Sequence, residues 1–204
     1  AQYLHNHFEK FYSEVFFPTL KERGVKTILH MGDAFDSRKS IGFESLNWAK
    51  RVVFDPMSEY DVHMIVGNHD CYYKSTNRTN SPDLLLKDYD NITTYHNPTE
   101  ITLEGMKTLL LPWICDENRE ESLGMIKKSK AKFAAGHLEL DGFEAYRGHT
   151  YRDGKLDNSI FRNFDKVFSG HFHTRSDNGK IFYVGNPYEL SLIHISEPTR
   201  RYFI

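Results

Sequence analysis

The sequence is short of cysteine. Its two, Cys71 and Cys115, cannot build a disulfide framework and lack a CxxC spacing, so a reducing, cytoplasmic setting is the default expectation. It also lacks any run approaching the ~18 apolar residues of a membrane span, and no apolar stretch opens the chain, which argues against a membrane protein. Neither sign of charge dominates: 26 Lys and Arg stand against 28 Asp and Glu. A chain so balanced has no global electrostatic footprint for nucleic acid, and any such contact must use a local patch or a metal. There is no internal repeat and no low-complexity linker. What the 204 residues do contain is core material, with 15 Phe, 12 Tyr and 2 Trp, enough to set aside disorder. They also contain 11 His, and the positions of these carry most of the information.

Apolar periodicity alternates between short runs and amphipathic segments. An opening helix is expected from Leu4, Phe8, Phe11, Val15 and Leu20, with Pro18 as a late kink and Gly24 as its stop. Strands are expected over Thr27–Met31, Val62–Val66, Phe133–Ala135, Lys166–Ser169 and Ile181–Val184. A helix is expected over Phe43–Met57, with Leu46, Ala49, Val52 and Val53 inward. A second should open at Ser81-Pro82, Ser81 being its N-cap, and run through Lys87. A third should run from Asp116 and Glu117 to about Lys130, acids first and lysines last, as the helix dipole prefers. Ile101–Leu103 and Thr108–Leu111 flank Glu104-Gly105 as a hairpin. The pattern predicts an α/β layered sandwich in one unit over 1–192. Residues 193–204 fit neither period nor turn chemistry and are expected to be a non-native tail. The first residue is Ala, and nothing ahead of the opening helix can form a first strand.

Four of the expected strands end alike, in an apolar run, a Gly, then a potential metal ligand. They are His30-Met31-Gly32-Asp33, Val66-Gly67-Asn68-His69-Asp70, Ala135-Gly136-His137 and Ser169-Gly170-His171-Phe172-His173. In an α/β sheet, ligands bind beyond the carboxyl ends of the strands, so all four would arrive at one edge. One such ending is ordinary turn chemistry; four with Asp, Asn and His are not. Carboxylate, amide oxygen and imidazole without thiolate suit manganese, iron, zinc or a similar ion better than calcium. There are more donors than one ion needs, which points to two ions, the usual clamp for attack on phosphorus.

At this point Gly32-Asp33-x-Phe35-Asp36, Gly67-Asn68-His69-Asp70, Gly136-His137 and Gly170-His171-x-His173 resemble the ordered motifs of calcineurin-like metallophosphoesterases. Phe35–Lys39, Leu111-Pro112-Trp113 and Gly136–Phe143 are similar to the nuclease subunit of SbcCD-type recombination complexes, most of all those carried by tailed phages. The likeness runs over about residues 24 to 190. It implies an α-β-β-α sandwich and a metal-dependent phosphodiesterase acting on DNA in recombination and double-strand-break repair. It implies two divalent ions, manganese first, with iron, zinc or magnesium as options. Implied partners are DNA and an ABC-type ATPase, with homodimerisation open and the host cytoplasm as location for a phage product.

Carried over by position, Asp33 would bridge both ions. Asn68, His137 and His171 would complete one site, and His173 would serve the other. His69 would face the scissile phosphate as proton or hydrogen-bond donor, with Asp70 orienting its imidazole. A water of lowered pKa would be the nucleophile. Arg38 and Lys39 beside the Asp33 loop are candidate phosphate contacts, and Asn186, before Pro187, a candidate cleft residue.

Relatives open with a strand bearing Asp-x-His, and this chain starts after that point, so the product as given is expected to be inactive or nearly so. His5-Asn6-His7 is a poor substitute, because the two rings lie about 200° apart around a helix. Competing functions are hydrolysis of small phosphoesters and a degenerate, non-catalytic scaffold. His30 and His63 are better read as core histidines than as ligands, Cys71 as packing, and Trp113 as a core or loop anchor rather than a base-stacking residue.

Overall fold

The computed structural model describes residues 2–146, 148–153 and 156–186. The expected tail 193–204, the end of the 1–192 unit and Pro187 lie outside them.

The opening helix is α1 (Gln2–Lys10), a π-helical stretch Phe11–Phe16, then α2 (Phe17–Glu22). Pro18 has no N–H to donate to the turn before it, and the wide π segment sits where that bond would otherwise be needed. The phase shift means that the inward row near the end is Phe16, Phe17 and buried Leu20. Gly24 stops the helix with φ +62°. There follow β1 (Thr27–His30), α3 (Phe43–Ala49) with its π and 3-10 continuations to Glu59, and β2 (Asp61–Ile65). Next come α4 (Ser81–Leu85), β3 (Ile92–Tyr95), β4 (Thr99–Leu103), β5 (Met106–Leu111), α5 (Arg119–Lys128) and β6 (Phe133–Gly136). The last elements are β7 (Glu144–Tyr146), β8 (His149–Thr150), β9 (Lys166–Ser169), β10 (Ser176–Asp177) and β11 (Ile181–Tyr183).

The helix cap is corrected by one residue. Asn80, not Ser81, caps α4: its Oδ1 accepts from the Asp83 amide at 2.9 Å. That leaves the Ser81 hydroxyl to donate to Asp70 Oδ1 at 3.3 Å.

Two sheets face each other. One is parallel, in the order β1-β2-β3; the other runs β10-β11-β9-β6-β5-β4, its β11, β9, β6 and β5 parallel. Side-chain alternation decides which layer each residue joins. On β2, Val62 and Met64 pack outward with Phe54, Met57 and Leu20 of the first helical layer. Ile65 points the other way and meets Leu110 and Ala135 between the sheets. On β5, Leu109 and Leu111 pack with Ile126 of α5. The result is helix, sheet, sheet, helix. Truncating Leu110 at the seam would cost about 2–5 kcal/mol. The three-stranded sheet covers only part of its larger partner: Phe168, in register with Ala135, is 39% exposed and stacks on Phe182. At the β4–β5 hairpin, Glu104 (φ +46°) and Gly105 (φ +79°) adopt the left-handed pair that a two-residue turn requires. Among the described residues no helix is long and apolar enough to cross a membrane.

Candidate metal centre

Parallel strands put their carboxyl ends at one edge, and four of those ends supply the site. Asp33 follows β1, Asn68 follows β2, His137 follows β6 and His171 follows β9. Asp33, His137 and His171 each offer a ligand atom, all within 4.8 Å of one another. Asn68 Oδ1 lies 2.9 Å from His137 Nε2 and 3.2 Å from His171 Nδ1. The two ring nitrogens are 3.2 Å apart, and Asp33 Oδ2 is 3.3 Å from His137 Nε2.

The other ends of the rings show what this cluster is chemically. His137 Nδ1 sits 2.8 Å from the Met31 carbonyl, which can only accept, so Nδ1 carries the proton and a neutral ring presents a bare Nε2. His171 Nε2 lies 3.6 Å from Glu139 Oε1, which favours the proton there and leaves Nδ1 bare. A carboxylate oxygen, an amide oxygen and two imidazole lone pairs then converge on one point with nothing to donate between them. Acceptors crowded in this way require a proton or a cation. Burial works to lower the His137 pKa, but the hydrogen bond and charge of Asp33 prevail and hold it above its ordinary value. Burial works to raise Asp33, and His137 reverses that, leaving the carboxyl below the usual range. His171 is lowered, chiefly by burial. The donor set thus fits a divalent first-row ion and could hold one.

The strand-end loops approach closely here, within the first sheet at Gly67 and between the two sheets at Gly170. A Cβ on Gly67 would fall on the Asp33 carboxylate and amide, and one on Gly170 would meet the Met31 carbonyl at 2.5 Å. Asp33 (φ +54°) and His171 (φ +81°) both hold left-handed backbone, which costs of order 1–3 kcal/mol each and gathers at functional sites.

Asp70 has a different task from the expected one. Its carboxylate accepts from the amides of Asp33 and Gly67 at 2.8 Å, of Ala34 at 2.9 Å and of Phe35 at 3.3 Å. Both oxygens are therefore spent on backbone, pinning the β1 loop to the β2 loop, and the expectation that Asp70 orients the His69 imidazole is corrected. Burial pushes Asp70 up to about 6 against those amides. The group that holds the His69 ring is the Asp36 carbonyl, 2.6 Å from Nδ1.

The remaining expected residues lie around this centre. His173 is exposed and does not join the donor cluster; its carbonyl accepts from the Asn186 amide at 3.1 Å. Arg38 is half-buried, its Nη1 3.4 Å from the Cys71 carbonyl. His5 stacks on Trp48 at 5.1 Å in the helical layer. His63 binds the Tyr95 hydroxyl at 2.7 Å, and burial pushes His30 down to about 4.

Two residues at the site had no assigned part in it. Glu139 backs His171, and the signal was its i+2 spacing from His137, which puts both on one side of an extended segment. Trp113 lies against both imidazoles, 5.4 Å from His171 and 6.3 Å from His137 between ring centroids. Only the return of the chain after β5 brings it there, and no local pattern announces that.

Layered sheets with Asp, Asn and His at four strand ends define a metal-dependent phosphoesterase, and residues 4–175 match the calcineurin-like phosphoesterase family, to which the chain belongs. The chain is 36% identical over 180 residues to exonuclease subunit 1 of Enterobacteria phage T4, covering 87% of this chain and 52% of that protein. It thus spans about half the length of that curated relative. Among solved structures, an archaeal phosphodiesterase is 14% identical with a TM-score of 0.37, over 69% of this chain and 70% of that one. A protein of unknown function from Aquifex aeolicus, AQ665, is 16% identical with a TM-score of 0.39, over 76% and 74%.

Proposed function

We propose that this chain is the phosphodiester-cleaving part of a DNA nuclease that works beside an ABC-type ATPase in recombination and repair. Pairing of two copies and a host-cytoplasmic location belong to the same reading. The observation that supports it is the convergence of Asp33, Asn68, His137 and His171, whose carboxylate and amide oxygens and imidazole nitrogens meet at the carboxyl ends of four strands. The resemblance to a phage exonuclease subunit adds the substrate class. Those four residues would hold one divalent ion, manganese being the first choice, and Asp33 with His173 would serve a second. When bound, such ions activate a water and neutralise charge developing on the phosphoryl oxygens.

The protein's own groups have narrower tasks. His69, its Nδ1 proton held on the Asp36 carbonyl, would donate from Nε2 to the phosphate or the leaving oxygen as an imidazolium, with a proton on each ring nitrogen. Asp70 keeps the Asp33 and Asn68 loops in register. Trp113 restricts the rings it packs against. Turnover is expected to be slow, because His173 is exposed and apart from the cluster, so substrate preference carries the test. The chain is stripped with EDTA, supplied with manganese, and given linear DNA, bis(p-nitrophenyl) phosphate and p-nitrophenyl phosphate. The expected result is slow manganese-dependent diester cleavage, DNA included, that vanishes in Asp33→Ala. Cleavage of the monoester alone overturns the nuclease reading.

A further inference from the structure

Tyr72 and Tyr73 directly follow Asn68-His69-Asp70-Cys71, yet they are not core: they are 41% and 54% exposed. Their rings meet edge to face at 4.7 Å, so each braces the other and less side-chain freedom remains to be lost on binding. The segment that carries them is fixed. The Tyr72 amide donates to the Thr79 carbonyl at 2.9 Å, and Cys71 bridges to Asn80. Cations lie beside them. The Lys39 ammonium is 6.0 Å from the Tyr72 ring centroid, and Arg38 reaches the Cys71 carbonyl at 3.4 Å. Across 36–39 and 71–78 the charged side chains are Arg38, Lys39, Lys74 and Arg78 with one carboxylate, Asp36. Arg78 is paired with Glu117. In a chain of net charge -2, this is a local basic patch. It is continuous with the centre, since Asp36 also holds the His69 ring.

We infer that Tyr72 and Tyr73, with Lys39, form a ledge on which unpaired bases of a single-stranded DNA end stack as its backbone enters the centre. The inference rests on the nuclease reading above and names the form of the substrate. Aromatic faces beside cations suit single strands, because every unpaired base has a π-face and every linkage a negative charge. A duplex hides those faces, so the same ledge offers it only the cations.

The test is fluorescence anisotropy of a labelled oligo-dT on the full chain in EDTA, where no cleavage occurs, beside a duplex of equal length. Tyr72→Ala and Tyr73→Ala should each weaken single-strand binding by about 5- to 100-fold. Tyr72→Phe and Tyr73→Phe, which keep the ring, should bind as the parent does, which separates lost stacking from a misfolded loop. Lys39→Ala should reduce the salt dependence by about one counterion. Lys26→Ala, at the amino end of β1, should leave it unchanged. Alanine variants that bind the single strand like the parent, or a parent that prefers the duplex, overturn the ledge. If the parent hydrolyses bis(p-nitrophenyl) phosphate with manganese but binds no oligonucleotide, the ledge falls and the phosphodiesterase survives. If it does neither, both fall.

Discussion

Asp33 and Asp70 hold each other's loops. Asp33 Oδ1 accepts from the His69 amide at 2.8 Å while Asp70 Oδ2 accepts from the Asp33 amide at 2.8 Å. One of the two carboxylates is left with an oxygen for the cluster, 3.3 Å from His137; the other is occupied by four backbone amides and the Ser81 hydroxyl. The strained Asp33 backbone persists because this exchange of hydrogen bonds over-determines it.

Asp70→Asn tests that division of labour. An amide nitrogen would face amide donors where an oxygen now accepts, leaving buried N–H groups unpaired at a cost of about 2–3 kcal/mol. Urea unfolding should show the lower midpoint, and manganese affinity should fall with it. An unchanged midpoint would show that the pins are dispensable.

Gly67→Ala should fail locally. Its Cβ would sit on the Asp33 carboxylate, so manganese affinity measured by calorimetry should drop at least tenfold. Gly124→Ala on α5, where a Cβ meets open space, should instead be neutral or stabilising by about 0.5–1 kcal/mol. Equal metal affinity in Gly67→Ala and the parent would refute the close-approach argument.

Metal stoichiometry follows from the cluster. Among the described residues one group of three or more such ligands converges, so an EDTA-treated chain should take up one tight equivalent of manganese or zinc. His137→Ala should abolish uptake, and affinity should fall as pH falls, since protons compete for the same lone pairs. Saturation at a hundred times Kd should add about 2.7 kcal/mol of stability. Two tight equivalents, or none, would contradict the structure.

Glu139→Gln isolates a positioning effect. The amide keeps the shape but weakens the hold on His171 Nε2, and outer-shell partners of this kind are worth roughly 10–100-fold in metal affinity. Affinity should drop about tenfold with the unfolding midpoint little changed. A matching loss of stability would assign Glu139 a purely structural part.

The thiols should be silent. Cys71 is 0% and Cys115 6% exposed, and burial pushes the Cys71 thiol up to about 12. A thiol reagent at pH 8 should label neither until the protein is denatured. Because the unfolded thiol ionises near 9 and the folded one near 12, the unfolded state sheds its proton first. Cys71 therefore withdraws stability as pH rises through that interval.

Much was legible because it is local. Alternating apolar runs mark the strands, Glu104-Gly105 the hairpin, and the repeated Gly-plus-ligand endings point Asp33, Asn68, His137 and His171 to one edge. Adjacency of Asp70 to His69 suggests a partnership in which the carboxylate has no share; three of its four amide partners lie 35 to 37 residues away on the Asp33 loop. Ser81 misleads for the opposite reason: two good capping residues stand side by side, and competition with Asp70 for the hydroxyl settles which one caps.

The layered architecture and the residue types at the edge are readable in the linear chain, because period and turn chemistry are written within a few positions. Tertiary structure alone decided which oxygen faces which nitrogen, that Glu139 and Trp113 flank His171, and that Tyr72 and Tyr73 stand in solvent. Those outcomes depend on how two sheets meet, and a close approach between segments 30 to 140 residues apart leaves no mark in the neighbourhood of either one.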